Sequence, residues 1–261
     1  MIIADQLSRN YTGGKTKAIL KQAQSLLRTL GSEKERMKVF VSWSGGKDSS
    51  LALHRALKAG LKVGCLFSML NEDGSMSRGH GVERDILESQ ALALGIPLVC
   101  GSAAWETYEE EFKRVARKLR MEGYSGGVFG DINLSEHRHW VERVCGEVGI
   151  KAFEPLWGEK YENLLAEFFS NGFEAIIINV KADLISGEWL GKPFNSEFLA
   201  YLKRRGIDLC GEKGEYHTLT VYGPPFKQHL KIVEAEKILQ NGRWTLKISK
   251  IELEQWRDNL T

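Results

Sequence analysis

One short stretch near the start of the chain has the composition of an anion-binding loop. It reads Ser44-Gly45-Gly46-Lys47-Asp48-Ser49-Ser50 and combines paired glycines, one cation and several hydroxyl groups. Glycines let a backbone approach a bound group closely, and the free N–H groups at the start of a helix point towards negative charge. Lys47 adds a positive charge, and Asp48 or Ser49 can cap the helix. The stretch predicts phosphate binding, with a plain strand-to-helix bend as the simpler alternative.

A strand and a helix must hold such a loop in place. Val39-Phe40-Val41 precedes it and is typical of a buried strand, and Leu51-Ala52-Leu53 follows at helical spacing. The loop is not a Walker A motif, which requires a glycine where Val41 stands and a Ser or Thr where Asp48 stands. A second string, Gly13-Gly14-Lys15-Thr16, lacks both the leading glycine and a preceding strand, so we expect a solvated turn there.

The Ser44–Ser49 string resembles the PP-loop of the ATP pyrophosphatase superfamily, whose members are adenine nucleotide alpha hydrolase-like. The resemblance implies an enzyme that splits ATP between its α and β phosphates, releasing pyrophosphate and leaving AMP on an acceptor oxygen. It implies ATP and Mg²⁺ at the site. It also implies a doubly wound α/β domain of the HUP-like type, with the loop at the carboxyl end of the first strand, where open parallel sheets bind ligands.

Composition narrows the class of protein further. The chain has 261 residues, with 43% hydrophobic and 27% charged residues, as is ordinary for a globular protein with a sizeable core. A net charge of +2 argues against an extended nucleic-acid surface. No apolar run approaches the length of a membrane span, and the first residues lack the apolar region of a signal peptide. The widely spaced Cys65, Cys100, Cys145 and Cys210 predict neither a zinc site nor a redox pair, so we expect a reducing cytoplasm.

Strands and helices alternate from Met37 to about residue 153, which predicts a parallel sheet. We therefore expect a doubly wound α/β fold in this part of the chain, which would form the ATP-binding domain over residues 37–153. The expected strands cover residues 63–70, 96–100 and 127–129, and the expected helices cover 82–94, 105–122 and 136–148.

The pattern changes after Phe153, which predicts a smaller α+β domain for substrate binding over residues 154–261. Its end reads as a β-hairpin around the turn signal Asn241-Gly242. The other expected elements are helices over residues 160–171 and 196–205 and a strand over 175–180, with hairpin strands over 231–239 and 244–253.

Residues 1–36 read as an N-terminal helical extension and linker. An apolar stripe from Ile19 to Leu30 predicts a helix over residues 15–30 that packs on the body of the protein or on a partner subunit. A homo-oligomer is compatible with this stripe.

A second cluster narrows the resemblance to one family. The string Glu212-Lys213-Gly214-Glu215-Tyr216-His217-Thr218, with Pro155-Leu156-Trp157 and Trp189-Leu190-Gly191, resembles the diphthine–ammonia ligase family. The resemblance implies ATP-dependent amidation of a carboxylate by ammonia: diphthine on elongation factor 2 becomes diphthamide, with AMP and pyrophosphate released. Lys213 and His217 replace a glycine and a glutamate of the family pattern. Because these departures fall on the acceptor side, a related carboxylate stays open as the substrate.

The chemistry assigns roles within the first cluster. Adenylation converts a carboxylate oxygen into a good leaving group, so the enzyme must stabilise charge on departing pyrophosphate. Asp48 could cap the helix or hold magnesium through water, and the metal ligands stay unassigned. The candidate phosphate contacts are Ser44, Gly45, Gly46, Lys47, Asp48, Ser49 and Ser50.

Residues at the ends of other strands could complete the nucleotide site. Met69 lies where adenine is expected, although it could equally belong to the core. Gly130 and Asp131 follow another predicted strand, and Asp131 could contact ribose, metal or acceptor, or simply cap a helix. We expect the catalytic group to comprise Lys47, Asp48 and Asp131.

The acceptor is expected to contact the second cluster and a loop histidine. His80, between two glycines, could form part of a lid or be an exposed loop residue. A plain turn into a strand is the alternative for the cluster, and His217 would face away from the site in an extended segment. The candidate substrate contacts are His80, Glu212, Gly214, Glu215, Tyr216 and Thr218.

Two other functions stay open at this point. PP-loop enzymes of RNA modification would use paired reactive cysteines or a basic domain, and both the cysteine spacing and the charge count against them. A nucleotide-sensing module would bind ATP or AMP without turnover, whereas the loop here retains its Lys, Asp and Ser residues.

Overall fold

The first strand lies at the centre of the molecule because its side chains are apolar on both faces. The computed structural model describes residues 37–255. Within strand β1 (Lys38–Ser42), Val39 and Val41 point into one apolar cluster. Phe40 points the other way and packs edge-on against Phe67 and Phe112. A strand buried on both sides needs helices on both sides.

Four further parallel strands complete the first sheet, in the order β3-β2-β1-β4-β5. These strands are β2 (Lys62–Leu70), β3 (Leu98–Ser102), β4 (Gly126–Val128) and β5 (Lys151–Phe153). The order reverses between β1 and β4. That reversal opens a crevice at the carboxyl ends of these two strands, where the chain leaves in opposite directions.

Helices cover both faces of this sheet. Helices α1 (Lys47–Lys58) and α2 (Arg84–Leu94) bury residues such as Leu51 and Leu87 in the cluster that contains Val39. Helices α3 (Tyr108–Met121) and α4 (Ser135–Val148) pack against Phe40 on the opposite face. The predicted doubly wound α/β fold is confirmed.

The rest of the described chain forms an antiparallel sheet with helices, as the sequence predicts. Its strands follow the order β7-β6-β9-β8. Asn241 and Gly242 have φ of 50° and 73°, the positive values that a tight hairpin turn requires, so the predicted hairpin is confirmed. The elements are α5 (Tyr161–Ser170), β6 (Glu174–Lys181), a 3₁₀ turn (Gly187–Trp189), α6 (Ser196–Arg204), β7 (Tyr216–Tyr222), β8 (Gln228–Gln240) and β9 (Arg243–Gln255).

One apolar cluster joins the two sheets. It runs from Val39 and Leu51 in the first half to Phe198 and Leu219 in the second. Backbone contact reinforces it, because the N–H of Thr220 in β7 donates to the carbonyl of Gly45 at 2.9 Å. This junction presents the first residues of β7 to the loop between β1 and α1.

Some sequence expectations differ from the structure. The third strand runs from Leu98 to Ser102 instead of 96–100, since Pro97 cannot donate a ladder hydrogen bond. Strand β5 was missed because its residues are exposed or half-buried and form no continuous apolar run. The expected helix over 15–30 lies outside the described residues. All four cysteines are described, and they are free thiols. Across residues 37–255, no helix is long and apolar enough to cross a membrane.

Candidate active site

The loop between β1 and α1 contains a backbone conformation that favours glycine. Gly45 has a φ of +81°, in the left-handed region that favours glycine. A Cβ at this position would also come within 2.6 Å of Gln90 Oε1. The hydroxyl of Ser49 donates to the carbonyl of Gly46 at 3.0 Å, and the hydroxyl of Ser44 donates to Ser49 Oγ at 3.2 Å. The loop is thus held by its own side chains.

Strand β7 and helix α2 fix the loop from outside. The N–H of Lys47 donates to Thr218 Oγ1 at 3.1 Å, which satisfies one free donor at the start of α1. The buried amide of Gln90 donates to the carbonyls of Gly45 (2.9 Å) and Thr220 (2.8 Å). Its oxygen accepts from Trp43 Nε1 at 3.0 Å. Gln90 therefore ties the loop to β7, a role that no local motif signals.

Lys47 is a buried cation shared between the two halves. Its side chain is 6% exposed, and its Nζ donates to Asp48 Oδ2 at 2.8 Å and to the carbonyl of Cys210 at 2.5 Å. The ring of Tyr216 lies 5.3 Å away. Burial is the largest single influence and opposes the charge, but Asp48, Tyr216 and Cys210 together outweigh it and raise the pKa of Lys47. Lys47 thus stays protonated throughout the neutral range.

A cavity of about 440 Å³ opens at the carboxyl ends of β1 and β4. Its volume lies in the range of small-molecule sites. The two sequence clusters, 171 residues apart at Lys47 and Thr218, line it together. The predicted site residues that line it are Ser44, Lys47, Asp48, Ser49, His80, Gly130, Asp131, Glu212, Gly214, Tyr216 and Thr218.

Five predicted site residues do not line the cavity: Gly45, Gly46, Ser50, Met69 and Glu215. The two glycines shape the loop from behind. Ser50 is fully buried in α1, and its hydroxyl has no hydrogen-bond partner in the described part of the chain. Met69 packs with the apolar cluster beneath α3 and α4, as the core interpretation expects. The carboxylate of Glu215 is buried and accepts from the N–H of Lys213 at 3.0 Å.

Gly130 and Tyr216 act as supports as much as lining. A Cβ at Gly130 would lie 3.0 Å from the carbonyl carbon of Asp48, so glycine lets the β4 loop touch the first turn of α1. The ring of Tyr216 is buried against Phe198, and its hydroxyl donates to the carbonyl of Leu209 at 2.6 Å. An aromatic ring held in this way offers little face to a substrate.

Three carboxylates line the cavity, and two of them have cationic or histidine partners. Asp48 pairs with Lys47, and Asp131 Oδ1 lies 3.3 Å from His137 Nδ1, which raises the pKa of His137. Glu212 Oε2 accepts a hydrogen bond from the N–H of Asn133 at 3.3 Å. Burial and the nearby Asp48 charge raise the pKa of Glu212 to about 7.

His80 and His217 form a ring pair at the edge of the cavity. Their centroids lie 4.2 Å apart with the planes tilted by 58°. Burial, together with the Lys47 charge, lowers the pKa of His80 to about 4, and burial and His80 lower that of His217. The expectation that His217 faces away from the site was wrong, because the loop carrying His80 covers that side of β7 and extends the cavity around it.

Sequence reasoning missed several cavity residues. Ser42 ends β1, Leu134 and His137 follow the β4 loop, and Gly211 adjoins the second cluster. The position of His137 six residues after Asp131, at the start of a helix, was the available signal. Gln90 and Asn133 gave none, since a lone amide on a helix or loop is unremarkable without its tertiary partners.

Comparison with known proteins covers most of the chain. Residues 37–152 match the family described as diphthamide synthase N-terminal domain, and residues 160–253 match the diphthamide synthase C-terminal domain. Proteins named diphthine–ammonia ligase from Bos taurus and Rattus norvegicus are 30% and 29% identical. Each alignment covers 79% of this chain and 86% of the relative.

The human diphthine–ammonia ligase is 29% identical over the same shares of both chains. A solved structure described as a predicted subunit of tRNA methyltransferase from Methanocaldococcus jannaschii aligns with a TM-score of 0.40 and 23% identity. It covers 71% of this chain and 96% of that chain, and the likeness is too distant to bear on function.

Proposed function

This chain belongs to the diphthine–ammonia ligase family, and we propose that it uses ATP to join ammonia to a carboxylate through an acyl-adenylate, with release of AMP and pyrophosphate. The acceptor would be diphthine on elongation factor 2 or a related carboxylate. One observation carries the proposal: the phosphate loop and the second cluster, far apart in sequence, line a single cavity.

Adenylation solves a leaving-group problem. A carboxylate does not react with ammonia at neutral pH, because oxide would have to leave. In the proposed reaction the acceptor oxygen attacks the α-phosphorus and the bond to the β-phosphate oxygen breaks, so charge accumulates on pyrophosphate. Lys47 supports this step because it stays charged and lies at the start of α1, whose first turn faces the cavity. The residues 37–153 would bind ATP, and the residues 154–261 would bind the acceptor.

Magnesium fits the site only with help from nucleotide phosphates. Within residues 37–255, no group of three or more His, Cys, Asp or Glu side chains is placed to hold a metal. Magnesium commonly binds one or two carboxylates plus substrate phosphates and water. The cavity-facing carboxylate of Asp48 suits such a role, directly or through water. Bound there, the ion would neutralise charge on the phosphates.

The acceptor side carries the departures from the family pattern. Of these, His217 lines the cavity whereas Lys213 is exposed outside it. His217 therefore bears on acceptor choice, because it places a neutral ring where the family pattern has a carboxylate. This difference supports a related carboxylate as an alternative acceptor to diphthine.

The assay combines ATP, ammonium and diphthine-bearing elongation factor 2 with the protein. We expect AMP and pyrophosphate in equal amounts, together with one amide per AMP. ADP and orthophosphate as products would contradict the whole class of reaction. AMP formation with another carboxylate, but none with diphthine, would contradict the acceptor alone.

A further inference from the structure

Glu212 differs from the other carboxylates of the cavity because it forms no ion pair with any residue in the range 37–255. Asp48 is neutralised by Lys47, and Asp131 faces His137. Among the described residues, the hydrogen-bond partner of the Glu212 carboxylate is the N–H of Asn133. The side chain is half-buried and lines the same cavity as Lys47 and Asp48. Its carboxylate is therefore open to a proton or a cation that enters the cavity.

The surroundings of Glu212 bring the pKa of its carboxyl group close to neutral pH. Burial and Asp48 raise its pKa to about 7, with a further contribution from Asp131, while the Asn133 N–H and Lys47 oppose the rise. Tyr161 and Cys210 also face Glu212 and respond to its charge, as does His137. The pair His80 and His217 is a poorer base, because the pKa of each ring is lowered. General bases work best when their pKa is close to the working pH.

The proposed amidation needs such a base. Ammonium is the dominant form of the nitrogen donor at neutral pH, and it has no lone pair with which to attack. The Glu212 carboxylate, which has no ion-pair partner among the described residues, would attract this cation, whereas neutral ammonia would gain nothing from its charge. We infer that Glu212 binds the ammonium ion and removes the proton that frees its lone pair. This inference rests on the proposed function.

The step balances as follows. One N–H bond of ammonium breaks, and the proton passes to a Glu212 carboxylate oxygen. The freed lone pair forms the C–N bond with the acyl carbon, and the C–O bond to AMP breaks with its electron pair leaving on the phosphate. The second proton leaves the amide nitrogen to water, and Glu212 returns its own proton to solvent before the next turnover.

The test compares ammonium with hydroxylamine, which is neutral at pH 7 and needs no base before attack. Diphthine-bearing elongation factor 2 is the acceptor, and AMP, pyrophosphate and product are measured. For Glu212→Gln, which keeps the bond from Asn133, we expect ammonium-dependent kcat/KM at pH 7 to fall about 100-fold, the low end for a general base. Hydroxylamine-dependent kcat/KM should fall far less, so the ratio of the ammonium-dependent to the hydroxylamine-dependent kcat/KM is the readout, and it should drop at least about 10-fold.

The pH profile gives a second readout. With Glu212 as base, the wild-type kcat/KM for ammonium should level off above about pH 7, where the carboxylate is ionised. Glu212→Gln must use free ammonia, so its rate should rise ~10-fold per pH unit up to the ammonium pKa. Glu212→Asp, which restores a carboxylate, should recover the plateau. The exposed Glu162→Gln in α5 is the matched control and should behave as wild type.

Parallel pH profiles for wild type and Glu212→Gln would overturn the inference, as would equal losses with both nucleophiles in a protein that still unfolds cooperatively. The proposed function fails in a different way: wild type would then release no AMP with either nucleophile. That outcome overturns both proposals, whereas AMP release with hydroxylamine keeps the ligase and isolates the role of Glu212.

Discussion

The two walls of the cavity are built differently. The loop wall (residues 44–49) is held by its own hydroxyls and by β7, and its cation is paired and buried. The C-terminal wall (residues 210–218) instead presents Glu212 and His217, whose pKa values are shifted by burial. A fixed charge suits the binding of phosphate. Groups that titrate near or below neutrality suit proton transfer and acceptor choice. On this contrast we propose that the loop wall serves the phosphate half of the reaction and the C-terminal wall the acceptor half.

Removing the charge of the loop wall should have the largest effect. Lys47→Met keeps the length of the side chain but leaves the Asp48 carboxylate and the Cys210 carbonyl without their donor. We expect the rate of pyrophosphate release to fall at least about 100-fold, as when a preorganised charge contact to a transition state is lost. The measurement is pyrophosphate release at saturating ATP and acceptor.

Lys58→Met is the matched control, since Lys58 is exposed at the other end of α1. It should retain wild-type release. If Lys47→Met folds and releases pyrophosphate at nearly the wild-type rate, the loop wall does not carry the charge stabilisation, and the contrast between the walls is wrong.

Removing Gln90, which links the two walls, should have the second-largest effect. Gln90→Met fills a similar volume but leaves the Trp43 indole N–H and the Thr220 carbonyl without their buried partner. Because unsatisfied buried groups are costly, we expect the free energy of unfolding to fall by about 3 kcal/mol. Urea unfolding measures this change, and KM for ATP reports whether the loop has shifted.

Gln240→Met, at the exposed end of β8, is the comparison and should change stability little. Equal losses in both variants would mean that Gln90 contributes no more than a surface amide. A large loss of stability with unchanged KM would show instead that the loop wall keeps its geometry without its link to β7.

The two walls also differ in how far the sequence could reveal them. The loop wall is contiguous, and the strand and helix that hold it follow directly from hydrophobic spacing, so its placement at the end of β1 could be predicted. The same periodicity predicted the sheet and the hairpin. Strand β5 has no apolar run that would reveal it, and Met69 is equally compatible with an adenine contact or with the core.

The C-terminal wall depends on partners that only folding brings together. Burial and the Asp48 charge raise the pKa of Glu212, and the backbone N–H of Asn133, 79 residues away in the chain, opposes the rise. His217 reaches the cavity because the His80 loop covers one side of β7, which strand alternation alone could not indicate. The carboxylate of Glu215, in the same string, instead accepts a hydrogen bond from the backbone N–H of Lys213. Neighbouring residues of one motif thus have different environments in the fold.

The smallest expected effect concerns the pH dependence of stability, and it tests the C-terminal wall. His80 has a folded pKa of about 4 against 6.5 when unfolded, so the unfolded state binds more protons between these values. The contribution of His80 to the free energy of unfolding is therefore fully present above pH 6.5 and is lost as the pH falls towards 4. His217 acts in the same direction. With allowance for partial exposure, we expect each ring to contribute about 1 kcal/mol of this decline.

Replacing His217 should flatten the decline, because burial and the neighbouring His80, 4.2 Å away between ring centroids, disfavour its protonation in the folded state. Urea unfolding at pH 4, 5, 6 and 7 measures the slope for wild type and His217→Gln, and we expect the variant to lose the part of the slope that His217 contributes. His139→Gln, on the exposed face of α4, should keep the wild-type slope. A wild-type slope in His217→Gln would mean that the ring stays solvated, and the C-terminal wall would then differ from the loop wall only at Glu212.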